Sequence, residues 1–171
     1  MRCIQTIRST WSAVSDIVAA QPGGFLAARD KELRVKEVFF DRLRSALPDA
    51  EVKLSRPGSQ VRFGRKEIDL TVACDGARVA IEAKFKVRSD GAYSHGVFVW
   101  LTDRPEYYRD VSATPDCSTH HGRVIPANTP ITVARARDGK PRAWDFPWQL
   151  DLVWNPCAAD AAWRWLMIQI P

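Results

Sequence analysis

The chain has 171 residues, of which 46% are apolar, 26% charged and 10% aromatic. These proportions are typical of one folded domain, here predicted to span 1–171, and they exclude collagen, low-complexity and largely disordered chains. The 25 basic residues outnumber the 20 acidic ones and give a formal charge of +5, which favours an anionic partner without identifying it.

The four cysteines are far apart and form no CxxC pair, so the sequence indicates neither a zinc knuckle nor a thioredoxin-like redox motif. Reduced thiols in a cytoplasmic protein are therefore expected. The first ten residues lack the apolar segment of an export signal, and no apolar run is long enough to span a membrane. We expect no membrane partner.

Two helices are predicted at the start of the chain. Apolar residues recur at spacings of three and four up to a stop at Gln21-Pro22-Gly23-Gly24, namely Ile4, Ile7, Trp11, Val14 and Val18. A second helix is predicted to begin near Ala28 or Asp30 and to end near Ala46, before Pro48. Its apolar face is assigned to Leu33, Phe40, Leu43 and Leu47.

After these helices the pattern becomes alternating, which indicates strands. The Asp75-Gly76 dipeptide between two such runs is typical of a two-residue type I′ hairpin turn. The segment 102–142 is predicted to hold short strands in irregular connections. The predicted strands are 51–54, 61–73, 78–87, 97–101, 150–154 and 163–170.

A hairpin that turns at Asp75 and Gly76 would place Asp69 directly opposite Glu82, and Lys84 on the same face of the sheet. Two opposed carboxylates repel each other unless a cation binds between them. Carboxylate oxygens suit Mg²⁺ or Mn²⁺, and Lys84 would then hold or activate an attacking water. The alternative is that Asp69 and Glu82 are ordinary polar residues of a half-exposed hairpin, neutralised by Lys84.

Two short segments around these residues, Glu67-Ile68-Asp69-Leu70 and Ile81-Glu82-Ala83-Lys84-Phe85, resemble the core motif of the PD-(D/E)xK nuclease superfamily. Ile68 stands where that motif has proline. The resemblance covers about residues 30 to 90 and implies an α/β, restriction-endonuclease-like fold with a mixed central sheet and flanking helices. It also implies that Asp69 and Glu82 bind Mg²⁺ and that Lys84 assists the nucleophilic water.

Many members of this superfamily also carry a glutamate on the helix that precedes the motif strands. Glu32 is the better candidate here, because it projects closer to the apolar stripe of the second helix than Glu37 does. Glu32 is equally well explained as a first-turn glutamate that the helix dipole favours.

Basic residues flank the motif and would bind a phosphate backbone without reading its sequence. The alternative is a charged strand edge that discourages aggregation. Binding of nucleic acid, with DNA favoured over RNA, is assigned to Arg62, Arg65, Lys66, Lys86 and Arg88.

Three later segments, 101–108, 121–123 and 163–166, are similar to stretches of bacterial proteins that carry this nuclease-like core. The chain is accordingly divided into an N-terminal helix (1–27), the motif-bearing core (28–100) and a β-rich C-terminal part (101–171). Only about ten residues separate Val87 from Val97, which is short for a helical crossover, so the next strand is expected to pair differently.

The predicted function is Mg²⁺-dependent or Mn²⁺-dependent hydrolysis of DNA phosphodiester bonds, by a homodimer or within a larger bacterial complex. Two other classes stay open. One is a nucleic-acid-binding or regulatory module that has the same fold and no catalysis. The other is a protein-interaction or immunity component that uses the tryptophan-rich C-terminal part, although core packing explains those tryptophans better.

Overall fold

The protein is described by a computed structural model over residues 2–63, 66–87, 94–102, 132–134, 141–143, 155–161 and 163–169. In that part of the chain three helices are formed by Arg2–Ala20 (α1), Pro22–Leu26 (α2) and Lys31–Ala46 (α3). The strands are Glu51–Leu54 (β1), Val61–Phe63 (β2), Lys66–Ile68 (β3), Leu70–Cys74 (β4), Ala77–Val87 (β5), Ser94–Thr102 (β6), Thr132–Ala134 (β7), Pro141–Ala143 (β8), Asn155–Pro156 (β9) and Arg164–Gln169 (β10).

The two predicted helices are confirmed as α1 and α3. Pro22 does not follow α1 as part of a turn, however, because it occupies the first turn of the short helix α2, where its missing N–H costs nothing. At the start of α3, Asp30 accepts a hydrogen bond from the Leu33 N–H at 2.9 Å, which caps the helix.

The buried face of α3 differs from the predicted one. Val35, Phe39 and Leu43 are almost fully buried, whereas Phe40 and Leu47 only flank this core. The ring of Phe39 meets Trp11 of α1 edge to face, with centroids 4.7 Å apart. The two helices therefore form one layer against the sheet.

The sheet has six strands in the order β1-β4-β5-β6-β10-β9. β10 runs parallel to β6, and the other neighbours are antiparallel, so the sheet is mixed and the fold is α/β. β6 pairs antiparallel with β5, which agrees with the short connection between them. β2 pairs with β3, and β7 with β8, in two further two-stranded sheets.

The hairpin between β4 and β5 forms as predicted. Asp75 and Gly76 have φ of 52° and 76°, the positive values that a type I′ turn requires. The register runs from Cys74 opposite Ala77 to Leu70 opposite Ile81 and confirms the predicted pairing over this stretch.

The prediction of one continuous strand over 61–73 is wrong. The chain divides into β2, β3 and β4, with Asp69 in a bend before Leu70. Ser55 holds this bend from the end of β1. Its N–H donates to the Asp69 carbonyl at 2.8 Å and its hydroxyl donates to the Ile68 carbonyl at 2.6 Å, while the Val61 N–H donates to that hydroxyl at 2.7 Å.

In the C-terminal part, the predicted strand 163–170 is confirmed as β10. The predicted strand 150–154 and most of the segment 102–142 lie outside the described residues. No helix in the described ranges is long and apolar enough to cross a membrane.

The expectation of reduced thiols is wrong for two cysteines, because Cys3 of α1 and Cys74 of β4 form a disulfide. The two residues are distant in sequence, but packing of α1 on the sheet brings them together. Cys157 is a free, buried thiol. Burial raises its pKa to about 12, with smaller contributions from the charges of Asp16 and Asp160.

Reduction of the disulfide is expected to lower the free energy of unfolding by about 4 kcal/mol, because the bond constrains the unfolded chain over a sequence separation of 71 residues. Urea unfolding followed by circular dichroism, with and without dithiothreitol, measures the change. A Cys3→Ser/Cys74→Ser variant serves as the control and should not respond to the reductant. An unfolding midpoint of the native chain that ignores dithiothreitol would contradict the expectation.

Candidate functional site

The candidate site lies where the first turns of α3 meet the place at which β4 and β5 separate. Glu32 and Lys36 are four residues apart on α3, so their side chains lie on one face of the helix. The Lys36 Nζ is 2.7 Å from the Glu32 Oε1. Only 10% of the Lys36 side chain is exposed, because its neighbours Val35 and Phe39 are packed in the core.

The same ammonium also binds the carboxylate of the motif aspartate. Lys36 Nζ is 2.7 Å from Asp69 Oδ1, so it bridges Asp69 and Glu32 at equal distances. The Asp69 side chain is 17% exposed and that of Glu32 is 30% exposed. Charge-assisted hydrogen bonds of this length are stronger than neutral ones, and partial burial limits their screening by water.

The two carboxylates also contact the part of β5 that extends past its pairing with β4. Asp69 Oδ2 accepts a hydrogen bond from the Ala83 N–H at 2.9 Å, and the Phe85 N–H makes a longer contact of 3.5 Å with Glu32 Oε2. N–H groups alternate along a strand between its two neighbours, so Ala83 and Phe85 donate toward the side where β4 has ended. The carboxylates thus take the place of a strand partner.

Glu82 lies on β5 directly before Ala83. The β4–β5 ladder ends at Leu70 opposite Ile81, one pair before the predicted pair of Asp69 and Glu82. The bend at Asp69 is the reason, because it directs that side chain to the Ala83 N–H. Glu82 is half-buried and pairs in register with Trp100 of β6.

Lys84 follows on β5, in register with Phe98 of β6. The structure describes the backbone of Lys66, Lys84 and Lys86 but not their side chains, for which roles were predicted. Arg65 and Arg88 lie outside the described residues altogether. Arg62 is exposed on β2, with its guanidinium 4.0 Å from the Glu67 carboxylate and its carbonyl bound by Arg78. Arg62 therefore offers a partly neutralised charge at the surface.

A cleft of about 280 Å³ opens beside the bridged carboxylates. It lies between the start of α3 and the segment that follows β1, and both acidic residues and basic ones line it. The lining residues are Asp30, Glu32, Leu33, Lys36, Ser55, Arg56, Pro57, Gln60 and Asp69.

Sequence reasoning brought Glu32 and Asp69 to one site and missed Lys36. A signal was present, since Lys36 follows Glu32 at the helical spacing that favours an ion pair. The contact with Asp69 had no local signal, because it depends on how α3 packs on the sheet.

Carboxylate oxygens are the ligands that Mg²⁺ and Mn²⁺ prefer. The Lys36 ammonium lies between Glu32 and Asp69, so the two carboxylates converge where a positive charge is stable. No group of three or more His, Cys, Asp or Glu side chains is arranged to hold a metal ion within the part of the chain that the structure describes. Glu32 and Asp69 thus offer oxygen donors of the type that a divalent cation takes, and in this structure the Lys36 ammonium holds both of them.

The chain matches no protein-family model, no curated protein and no solved structure.

Lys36→Met is expected to lower the free energy of unfolding by about 1–3 kcal/mol, because it leaves two partly buried carboxylates without their cation. The matched control is Lys53→Met, which removes an exposed lysine paired with Glu51 at 2.8 Å and should change the stability little. Urea unfolding of both variants measures the difference. Equal stabilities of the two variants would show that the bridge contributes nothing.

Proposed function

We propose that the protein is a metal-dependent nuclease that hydrolyses DNA phosphodiester bonds on a restriction-endonuclease-like core. The observation that carries the proposal is the convergence of Glu32 and Asp69 on the Lys36 ammonium, at 2.7 Å from each. This point lies beside the strand that bears Glu82 and Lys84. These are the residues that the motif resemblance identifies, and they come from three separate elements of the fold.

In this proposal Asp69 and Glu82 hold Mg²⁺ or Mn²⁺, with Glu32 as a further acidic ligand. The bound ion would supply Lewis-acid activation of the phosphodiester and a water of lowered pKa. Lys84 would position that water. Ser55 keeps the bend at Asp69, and the Ala83 N–H orients the Asp69 carboxylate.

The cleft beside the carboxylates provides the route for a phosphate group to the site. Arg56 is exposed at its wall, and it stacks over the ring of Phe40 at 5.8 Å, which orders the guanidinium. Arginine contacts to phosphates position a nucleic acid without reading bases. We therefore expect cleavage with little sequence preference.

The test is cleavage of plasmid, linear duplex, single-stranded DNA and RNA in the presence of Mg²⁺, Mn²⁺ or EDTA. Asp69→Asn and Glu82→Gln should each lower the rate on the order of 10²–10³-fold, the usual cost of losing one group that stabilises transition-state charge. Glu67→Gln is the matched control, because Glu67 is acidic, exposed and close in sequence, and it should leave the rate unchanged.

Activity that persists in EDTA, or in both Asp69→Asn and Glu82→Gln at the wild-type rate, would refute the proposal. Each variant is purified in parallel with the native protein, so that a contaminating nuclease appears as activity common to all of them.

A second candidate function is a nucleic-acid-binding module without catalysis. The observation in its favour is that Lys36 already neutralises one charge of the acidic group, as a purely structural site would require. Such a protein would bind DNA with an affinity that falls steeply with salt, and would leave the DNA intact with either metal.

A further inference from the structure

We propose that Lys36 is a tethered counter-ion that competes with a divalent cation for the carboxylates of Glu32 and Asp69, and so raises the metal concentration at which the site fills. This inference rests on the cation site of the proposed nuclease, but it concerns metal uptake and is tested without any measurement of cleavage.

The competition follows from the geometry of the bridge. Lys36 Nζ lies 2.7 Å from one oxygen of each carboxylate, so it occupies the position between the two acidic residues. A magnesium ion bound to the same oxygens would lie at about 2.0–2.1 Å from them. The ion and the ammonium carry charges of the same sign and would need the same space, so each excludes the other.

The other oxygen of each carboxylate contacts the edge of β5, and these contacts leave the competition in place. Asp69 Oδ2 is bound by the Ala83 N–H, and Glu32 Oε2 lies 3.5 Å from the Phe85 N–H. Both carboxylates are therefore fixed with their remaining oxygens toward Lys36. A divalent cation must reach those oxygens, and it must displace the ammonium to do so.

Displacement needs no movement of α3. Lysine carries its charge on a flexible four-carbon stem, and Lys36 itself lines the cleft of about 280 Å³ beside the site. Its ammonium can turn into that cleft when a metal ion takes its place. The backbone of α3 stays anchored meanwhile, because Val35 and Phe39 on either side of Lys36 are buried in the core.

The consequence is a site that two different cations can occupy in turn. Without metal, Lys36 compensates the acidic pair, and the fold does not depend on a bound ion. With metal, the lysine gives up both contacts, and the loss of those contacts weakens the apparent affinity for the metal. The neutral Lys36→Met substitution removes the competitor and leaves Glu32, Asp69 and Glu82 as they are.

The experiment is calorimetric titration of Mn²⁺ into the native protein and its variants. Lys36→Met should bind Mn²⁺ about tenfold or more tightly, because removal of one adjacent like charge favours the cation. Lys36→Arg keeps the charge and should resemble the native protein. Lys53→Met is the matched control, since it makes the same change in net charge at an exposed ion pair, and its affinity should not change.

A second measurement covers the case in which Lys36→Met folds poorly. Mn²⁺ should raise the urea midpoint of this variant more than that of the native protein, because stabilisation by a ligand increases with its affinity for the folded protein. Lys36→Gln provides a second neutral side chain of polar character and should behave in the same way.

Three results would overturn the proposal. The first is equal Mn²⁺ affinity in Lys36→Met and the native protein. The second is an equal gain of affinity in Lys53→Met, which would show that the change in net charge, and not the position of Lys36, raises the affinity. The third is a failure of both neutral variants to fold even in millimolar Mn²⁺, which would make Lys36 a structural residue.

The outcome is separable from that of the nuclease proposal. Tighter Mn²⁺ binding without any cleavage would support the role of Lys36 and refute the nuclease. Cleavage that depends on Asp69 and Glu82, with unchanged Mn²⁺ affinity in Lys36→Met, would support the nuclease and refute the competition.

Discussion

The repulsion between two carboxylates at the junction of α3, β4 and β5 is the constraint on which this part of the fold depends. Glu32 and Asp69 come from different elements and are directed to one point, where two like charges are unfavourable unless a cation lies between them. Lys36 supplies that cation, and because the lysine is on α3 while Asp69 lies in the bend between β3 and β4, the bridge also links the helix to the sheet. The single Lys36 ammonium therefore offsets carboxylate charge and also connects α3 to the sheet.

The carboxylates have a second task, which follows from the early end of the β4–β5 ladder. Once the chain bends at Asp69, the N–H groups of Ala83 and Phe85 face the side that β4 has left. Buried donors without partners are costly, and here side-chain oxygens accept from them. The bend that removes a strand partner is thus the same feature that places an acidic side chain where the partner would be.

The sequence predicted the features that depend on local chemistry. Asp75-Gly76 specifies a turn because both residues adopt positive φ, and Asp30 marks the start of α3 because its side chain caps the helix. The bend at Asp69 was missed because it depends on Ser55, which binds from 13 residues away. Lys36 was missed because hydrophobic periodicity treats a lysine as solvent-facing, and only the packing of α3 shows that its partner lies on the sheet. The Cys3–Cys74 disulfide was missed for the same reason, since spacing in the sequence carries no information about it.

The two candidate functions differ in which cation prevails at one place. A nuclease and a binding module would share the bend, the contacts to β5 and the converging carboxylates, so none of these features separates them. Whether a metal ion enters the site depends on the free energy of exchanging an ammonium on a flexible stem for a divalent ion held by oxygen ligands. That difference depends on how firmly the packing around Lys36 holds its stem, and on how much carboxylate charge Glu82 adds nearby. A charge pattern that resembles a catalytic motif is therefore compatible with either function, and the lysine one helical turn after Glu32 governs metal entry without deciding between them.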